Sequence, residues 1–179
     1  PLTFLLVGRL LEAKGLYEYA EAARLVKKRH PNARFQLLGA PESSRGGVPL
    51  ETVKGWEREG IIEYLGVTRD VRPYVGQANV VVLPSWREGL PCSLMEAMSM
   101  GRPIVATDVP GCRDVVVDGK NGFLVPVRTP EALAKALESF LEDSALTARM
   151  GKEGRFIAET ELDARKAADL ILSVMKLVS

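Results

Sequence analysis

Short apolar runs recur along the chain, each stopped by glycine or a polar turn, and most are followed by a stretch with apolar residues three and four positions apart. Runs at residues 3–7, 35–38, 61–65, 80–83, 104–106 and 122–125 read as strands. Between the first two, Leu16, Tyr19, Ala23 and Val26 form one stripe of a helix opening near Gly15. Residues 50–58 and 71–77 read as two further helices, and 40–48, rich in Ser, Gly and Pro, as a loop. Strands that are apolar almost throughout and alternate with helices are what a parallel sheet covered on both faces demands. The fold class is therefore α/β, a three-layer Rossmann-like domain with a parallel six-stranded sheet.

The last third is helical in pattern. Thr129-Pro130-Glu131 reads as a helix start with Thr129 as the cap, and Leu133, Leu137, Phe140 and Leu141 as its buried stripe. A second helix is expected from about Ser144 toward Ile157. A last one, over about 162–178, carries Ala167, Leu170, Ile171, Val174 and Leu177 on one face. It either packs on the sheet or reaches toward another domain. No internal repeat or low-complexity segment breaks the pattern, so residues 1–179 read as one domain.

Composition narrows the chemistry. With 24 Lys+Arg against 23 Asp+Glu, the formal charge of +1 points neither to nucleic acid nor to a strongly anionic membrane surface. No apolar run approaches the length of a membrane span. The two cysteines, Cys92 and Cys112, lack metal-ligand spacing and fit a reduced, cytoplasmic setting. His30 is the single histidine and sits at an expected helix end, which leaves no room for a histidine dyad or a zinc site within the chain. The chain opens directly on a strand without an initiator methionine, and reads as a fragment with something upstream.

Four expected strand ends carry chemistry: Gly8-Arg9, Gly39, Gly66-Val67-Thr68, and the stretch from Ser85 to Cys92. Ligands of open α/β sheets bind outside the carboxyl ends of the strands, so these residues can meet. Arg9 and Lys14 place two cations near a helix start, an unfavourable arrangement unless an anion such as phosphate lies between; the plainer alternative is two solvated side chains. Glu88 is either free to accept two sugar hydroxyls or paired with Arg87 or Arg102. Glu96 either closes a capping box with Ser93 or, on the first helical turn, accepts both hydroxyls of a ribose. The amides near Leu90, Cys92 and Ser93 would then face a diphosphate, whereas Pro91 has no N–H to offer. The chain has neither a P-loop nor a dinucleotide fingerprint. It also lacks an Asp-x-Asp pair for a divalent metal, so no metal or other cofactor is expected, and Arg9, Lys14 and the helix start have to neutralise a leaving diphosphate.

In order along the chain come Gly8-Arg9…Lys14-Gly15, Leu83-Pro84-Ser85…Glu88-Gly89 with Glu96-Ala97-Met98 seven intervening residues later, Gly101-Arg102-Pro103-Ile104-Val105-Ala106-Thr107-Asp108, and Asp118-Gly119-Lys120-Asn121-Gly122-Phe123-Leu124-Val125. This series resembles the C-terminal, donor-binding domain of retaining glycosyltransferases of family 4, one half of a GT-B fold. The resemblance implies a nucleotide-diphospho-sugar donor held between two Rossmann-like domains and transferred without metal. It implies that Gly8, Arg9 and Lys14 meet the diphosphate, Glu88 the sugar, Leu90, Pro91, Cys92 and Ser93 the sugar and phosphate turn, Glu96 the ribose and Val67 the base. Arg9, Lys14 and Glu88 are the catalytic candidates.

The run Arg87-Glu88-Gly89-Leu90-Pro91, with Asp108-Val109-Pro110-Gly111-Cys112-Arg113, is similar to the bacterial branch that builds surface polysaccharides. There the donor is commonly a UDP-N-acetylamino sugar and the acceptor a lipid diphosphate. Two positions depart from the family pattern: Pro91 stands where many relatives have glycine, and Ala40-Pro41 follows Gly39 in place of a second glycine. The implied partners are the donor, an N-terminal acceptor domain missing from this chain and a lipid-linked acceptor, with no nucleic acid. The full enzyme is then cytoplasmic or peripheral on the inner face of the cell membrane, and the fragment alone inactive. The rival readings are a non-catalytic nucleotide-sugar binding module and a fragment of a GT-B-fold epimerase or phosphorylase.

Overall fold

The structure of the protein, a computed structural model, describes residues 1–161; the helix expected over about 162–178 lies outside the described residues. The sheet is built from β1 (Thr3–Val7), β2 (Arg34–Leu38), β3 (Glu63–Tyr64), β4 (Val80–Leu83), β5 (Ile104–Thr107) and β6 (Gly122–Val125). All pairings are parallel and the spatial order is β3-β2-β1-β4-β5-β6. Among the described residues, seven α-helices connect or follow these strands: α1 (Leu16–Arg29), α2 (Leu50–Arg58), α3 (Arg72–Gln77), α4 (Cys92–Ser99), α5 (Pro110–Arg113), α6 (Pro130–Glu142) and α7 (Leu146–Glu161).

Burial on both faces explains the apolar strands. In β1, Phe4 and Leu6 face a core shared with Leu16 and Tyr19 of α1 and Leu133, Leu137 and Phe140 of α6. Leu5 faces the opposite core, with Val81, Leu94, Met98 and Ile157. Successive side chains of a strand point to opposite sides, so a strand sandwiched between two helical layers cannot alternate apolar with polar. Tyr19 brings its hydroxyl into this interior and donates to the carbonyls of Phe4 (3.0 Å) and Gln36 (3.1 Å), pinning α1 across β1 and β2. Burial raises its pKa well above the ordinary value.

Three expectations need correction. The third strand is two residues long, not five, because the amides of Ile61 and Ile62 both turn back to the carbonyl of Trp56 and close the end of α2. Only Glu63 and Tyr64 are left to pair with β2 at the sheet edge. Thr129 precedes α6 as expected, yet its hydroxyl donates backward to the carbonyl of Val127 (3.1 Å) and makes no cap bond to the helix. The helix expected from about Ser144 begins at Leu146, after Asp143 has turned the chain by accepting the amide of Ala145 (3.0 Å).

Candidate functional site

The strand order reverses direction between β1 and β4. Chain running outward from β1 goes through β2 to β3 on one side, and from β4 through β5 to β6 on the other. The loops leaving the carboxyl ends of these two strands therefore diverge and leave a crevice, the place where open α/β sheets bind ligands. The first loop carries Gly8, Arg9 and Lys14; the second carries Ser85 to Pro91.

Backbone contacts hold the two loops together. Glu12–Lys14 make a single 3₁₀ turn ending at Gly15, whose φ of 74° is left-handed. A Cβ at Gly15 would lie 2.0 Å from the carbonyl oxygen of Pro84, so no other residue permits this approach. The amide of Trp86 donates to the carbonyl of Ala13 (2.9 Å). With the loops joined at these two points, Lys14 Nζ meets Glu88 Oε1 at 2.5 Å, and the Glu88 side chain is only 8% exposed. Glu88 thus pairs with Lys14, 74 positions away, and with neither of the two arginines weighed as alternatives. Arg102 instead donates to the carbonyl of Gly76 (2.6 Å).

From below, the Glu88 loop rests on α5. A Cβ at Gly111 would stand 2.5 Å from the carbonyl oxygen of Glu88 and 2.4 Å from that of Gly89. The buried Cys112 thiol next to it is pushed up to about 12, chiefly by burial and then by the negative charge of Glu88. The Thr107 hydroxyl donates to the carbonyl of Ser85 and ties β5 to the same loop.

The capping box is absent. The chain enters α4 through Pro91 as N-cap, which places Ser93 inside the first turn and Glu96 beyond the position from which it could reach back. Glu96 is exposed, its carboxylate forms no ion pair or hydrogen bond among the described residues, and it lines a cleft of about 480 Å³ with Arg72, Cys92, Met95, Ser99 and Met100. The Cys92 amide is already engaged, donating to the carbonyl of Leu90 at 2.9 Å. The amides of Leu90 and Ser93 make no hydrogen bond among the described residues. Leu90 is also one of the most exposed apolar side chains, at 68%.

Gly8, Arg9 and Val67 share a separate cleft of about 210 Å³ with Gly39, Ala40 and Thr68, over the ends of β1, β2 and β3. Val67 is 63% exposed there. Arg9 reaches Glu42 at 2.8 Å, an ion pair unforeseen in the sequence because Glu42 lies in the loop read only as a connector. The Ser44 amide and then the Arg9 guanidinium hold the Glu42 carboxyl below its ordinary value. Arg9, Lys14, Glu88 and Glu96 all stand at the carboxyl edge of the sheet; Lys14 and Glu88 touch, while Arg9 and Glu96 open on different clefts. The residues whose part sequence reasoning passed over are Glu42, Trp86 and Arg128, single positions in loops, and Gly111, in the single turn of α5. Only the Pro-Gly dipeptide at Gly111 signalled a constrained turn.

This architecture recurs in solved structures. HepE of Anabaena, in complex with UDP, superposes with a TM-score of 0.86 at 23% identity, over 98% of this chain and 48% of that one. At that identity the likeness concerns the fold, which is that of a GT-B glycosyltransferase domain. Among relatives by sequence, the chain is 29% identical over 148 residues to the N,N'-diacetylbacillosaminyl-diphospho-undecaprenol alpha-1,3-N-acetylgalactosaminyltransferase of Campylobacter jejuni, covering 83% of this chain and 38% of the relative. It is 31% identical, over an alignment of 186 positions including gaps, to the D-inositol 3-phosphate glycosyltransferase of Streptomyces avermitilis, covering 96% of this chain and 40% of the relative. The chain thus spans about two-fifths of the length of these relatives. A family model described as "Glycosyl transferases group 1" matches residues 1–143, the whole sheet with both loops of the crevice, and the chain belongs to that family.

Proposed function

We propose that this chain is the donor-binding domain of a retaining glycosyltransferase that uses a nucleotide-diphospho-sugar, a UDP-N-acetylamino sugar above all, without metal. The observation that carries the reading is the Lys14–Glu88 pair at the crevice between β1 and β4. A cation and a carboxylate side by side match a ligand with a diphosphate at one point and sugar hydroxyls at the next. In this reading Lys14 and Arg9 neutralise the charge growing on the leaving diphosphate, with the amides of Leu90 and Ser93 adding fixed dipoles. Glu88, held by Lys14, orients the sugar. Glu96, free of a cap bond, accepts the ribose hydroxyls, and Val67 at its cleft meets the base.

A second, acceptor-side domain completes the transferase, so the chain alone binds donor and transfers nothing. The Campylobacter relative's name supports a diphospho-lipid acceptor and an N-acetylamino sugar. The names of a putative colanic acid biosynthesis glycosyltransferase of Salmonella typhimurium and a capsular polysaccharide biosynthesis glycosyltransferase of Staphylococcus aureus support a place in bacterial surface polysaccharide assembly. No helix among the described residues is long and apolar enough to cross a membrane. Contact with a lipid-linked acceptor then takes place at the cytoplasmic membrane surface.

A ligand that binds only the folded state raises the melting temperature. UDP is therefore expected to raise the melting temperature of this chain, and Arg9→Ala to abolish the rise. A melt unchanged by millimolar UDP and by millimolar GDP overturns the donor reading.

A further inference from the structure

Beside the Lys14–Glu88 pair lies a second opening, a cleft of about 510 Å³ lined by Leu11, Glu12, Ala13, Arg45, Gly46, Trp86, Arg87 and Arg128. Three guanidinium groups border it against one carboxylate, and none of the three forms an ion pair among the described residues. Elsewhere on the surface arginines find carboxylates readily: Arg24, Arg29, Arg34, Arg58, Arg72 and Arg113 are all paired. Three unpaired cations in one concavity repel one another, a cost that an anion between them removes.

The cleft is also built. Arg128 is the one non-glycine among the described residues with a left-handed backbone, at φ 56°. That conformation is sparsely populated for a residue with a Cβ, and here it brings the guanidinium over the Trp86 ring, 3.9 Å from its centre. Trp86 is in turn fixed by its indole N–H, which donates to Glu18 (2.8 Å), and by its amide on Ala13. Arg87 adjoins Glu88 and Ala13 adjoins Lys14 in sequence, so the same two loops line the cleft and carry the Lys14–Glu88 pair.

We propose that this arginine-lined cleft binds the diphosphate group of the acceptor. The inference rests on the donor reading above, because it is the neighbouring donor that makes an anion here an acceptor. Planar guanidinium groups meet phosphate oxygens in pairs, and three around one concavity suit a ligand with two phosphates better than one with a single carboxylate. The ring stack on Trp86 holds Arg128 in place and lessens the side-chain freedom lost on binding.

Inorganic pyrophosphate is titrated calorimetrically into the chain already saturated with UDP, so that the donor position is filled. One further binding event is expected, weakened roughly tenfold or more in the Arg87→Ala/Arg128→Ala double variant and weakened less in Arg87→Lys, which keeps the charge but loses the planar pair of donors. Geranyl diphosphate, a soluble prenyl diphosphate, is expected to bind at least as well. If UDP binds but pyrophosphate gives no further event, or if the event survives the double variant, the cleft is no anion site and the inference falls while the donor reading stands. If pyrophosphate binds and geranyl diphosphate does not, the cleft takes a free anion only, and the acceptor assignment is overturned. If UDP itself gives no heat, the donor reading fails first.

Discussion

At the scale of single residues, burial decides what each chemically capable group can do. Cys92 and Cys112 look alike in the sequence, both near helix starts. Cys92 is exposed at the opening of α4, whereas Cys112 is buried against the Glu88 loop with its pKa pushed up to about 12. Only the thiolate reacts with alkylating agents. Iodoacetamide at pH 8 is therefore expected to modify Cys92 and leave Cys112 intact, as read by mass spectrometry of tryptic peptides. Rapid loss of both thiols in the native state contradicts the burial of Cys112. The same logic separates the two acidic candidates. Glu88 is held by Lys14 in a nearly closed position, while Glu96, which makes no cap bond, is exposed.

At the scale of elements, short connections carry more of the site than the long helices do. The single turn of α5 supplies no catalytic group, but its Gly111 lets the Glu88–Gly89 backbone lie directly against it. A methyl group there forces the two backbones apart, an overpacking that costs about 1–3 kcal/mol. Gly111→Ala is expected to lower the urea midpoint accordingly and to shrink the UDP-induced rise in melting temperature, since Glu88 moves with its loop. A variant that keeps both the midpoint and the rise shows that the loop is not braced by α5. Helix α1 was legible in advance because its stripe of Leu16, Tyr19, Ala23 and Val26 is buried in full. The Glu63–Tyr64 strand was overdrawn, because two isoleucines that close a helix end look the same in sequence as two isoleucines in a strand.

For the whole molecule, surface carboxylates paired across elements tie stability to pH. Glu57 of α2 is held below its ordinary value of 4.5 first by Lys54 and also by the amide of Tyr64 in β3. Glu63 is held below the same value first by Gln36 of β2 and then by Arg34. A carboxyl whose pKa is depressed on folding adds stability that is fully present above the unfolded value and is lost as pH falls through the folded one. The urea midpoint is thus expected to be level from pH 7 to about 5 and to decline below about 4.5. A midpoint unchanged at pH 3 refutes this contribution.

Period and punctuation along the chain determined the elements, the parallel sheet covered on both sides, and the edge at which chemistry collects. Those are local properties: a strand buried on two faces must be apolar throughout, and glycine, proline or a polar residue follows within two positions of where each one ends. Tertiary structure alone decided who meets whom at that edge. The strand order sets β1 beside β4 and so brings Lys14 to Glu88, sets β1 beside β2 and so brings Arg9 to Glu42, and lets Arg128, after β6, lie over Trp86, after β4. Pairings between distant loops depend on the packing of every layer at once, and no pattern confined to one segment encodes them.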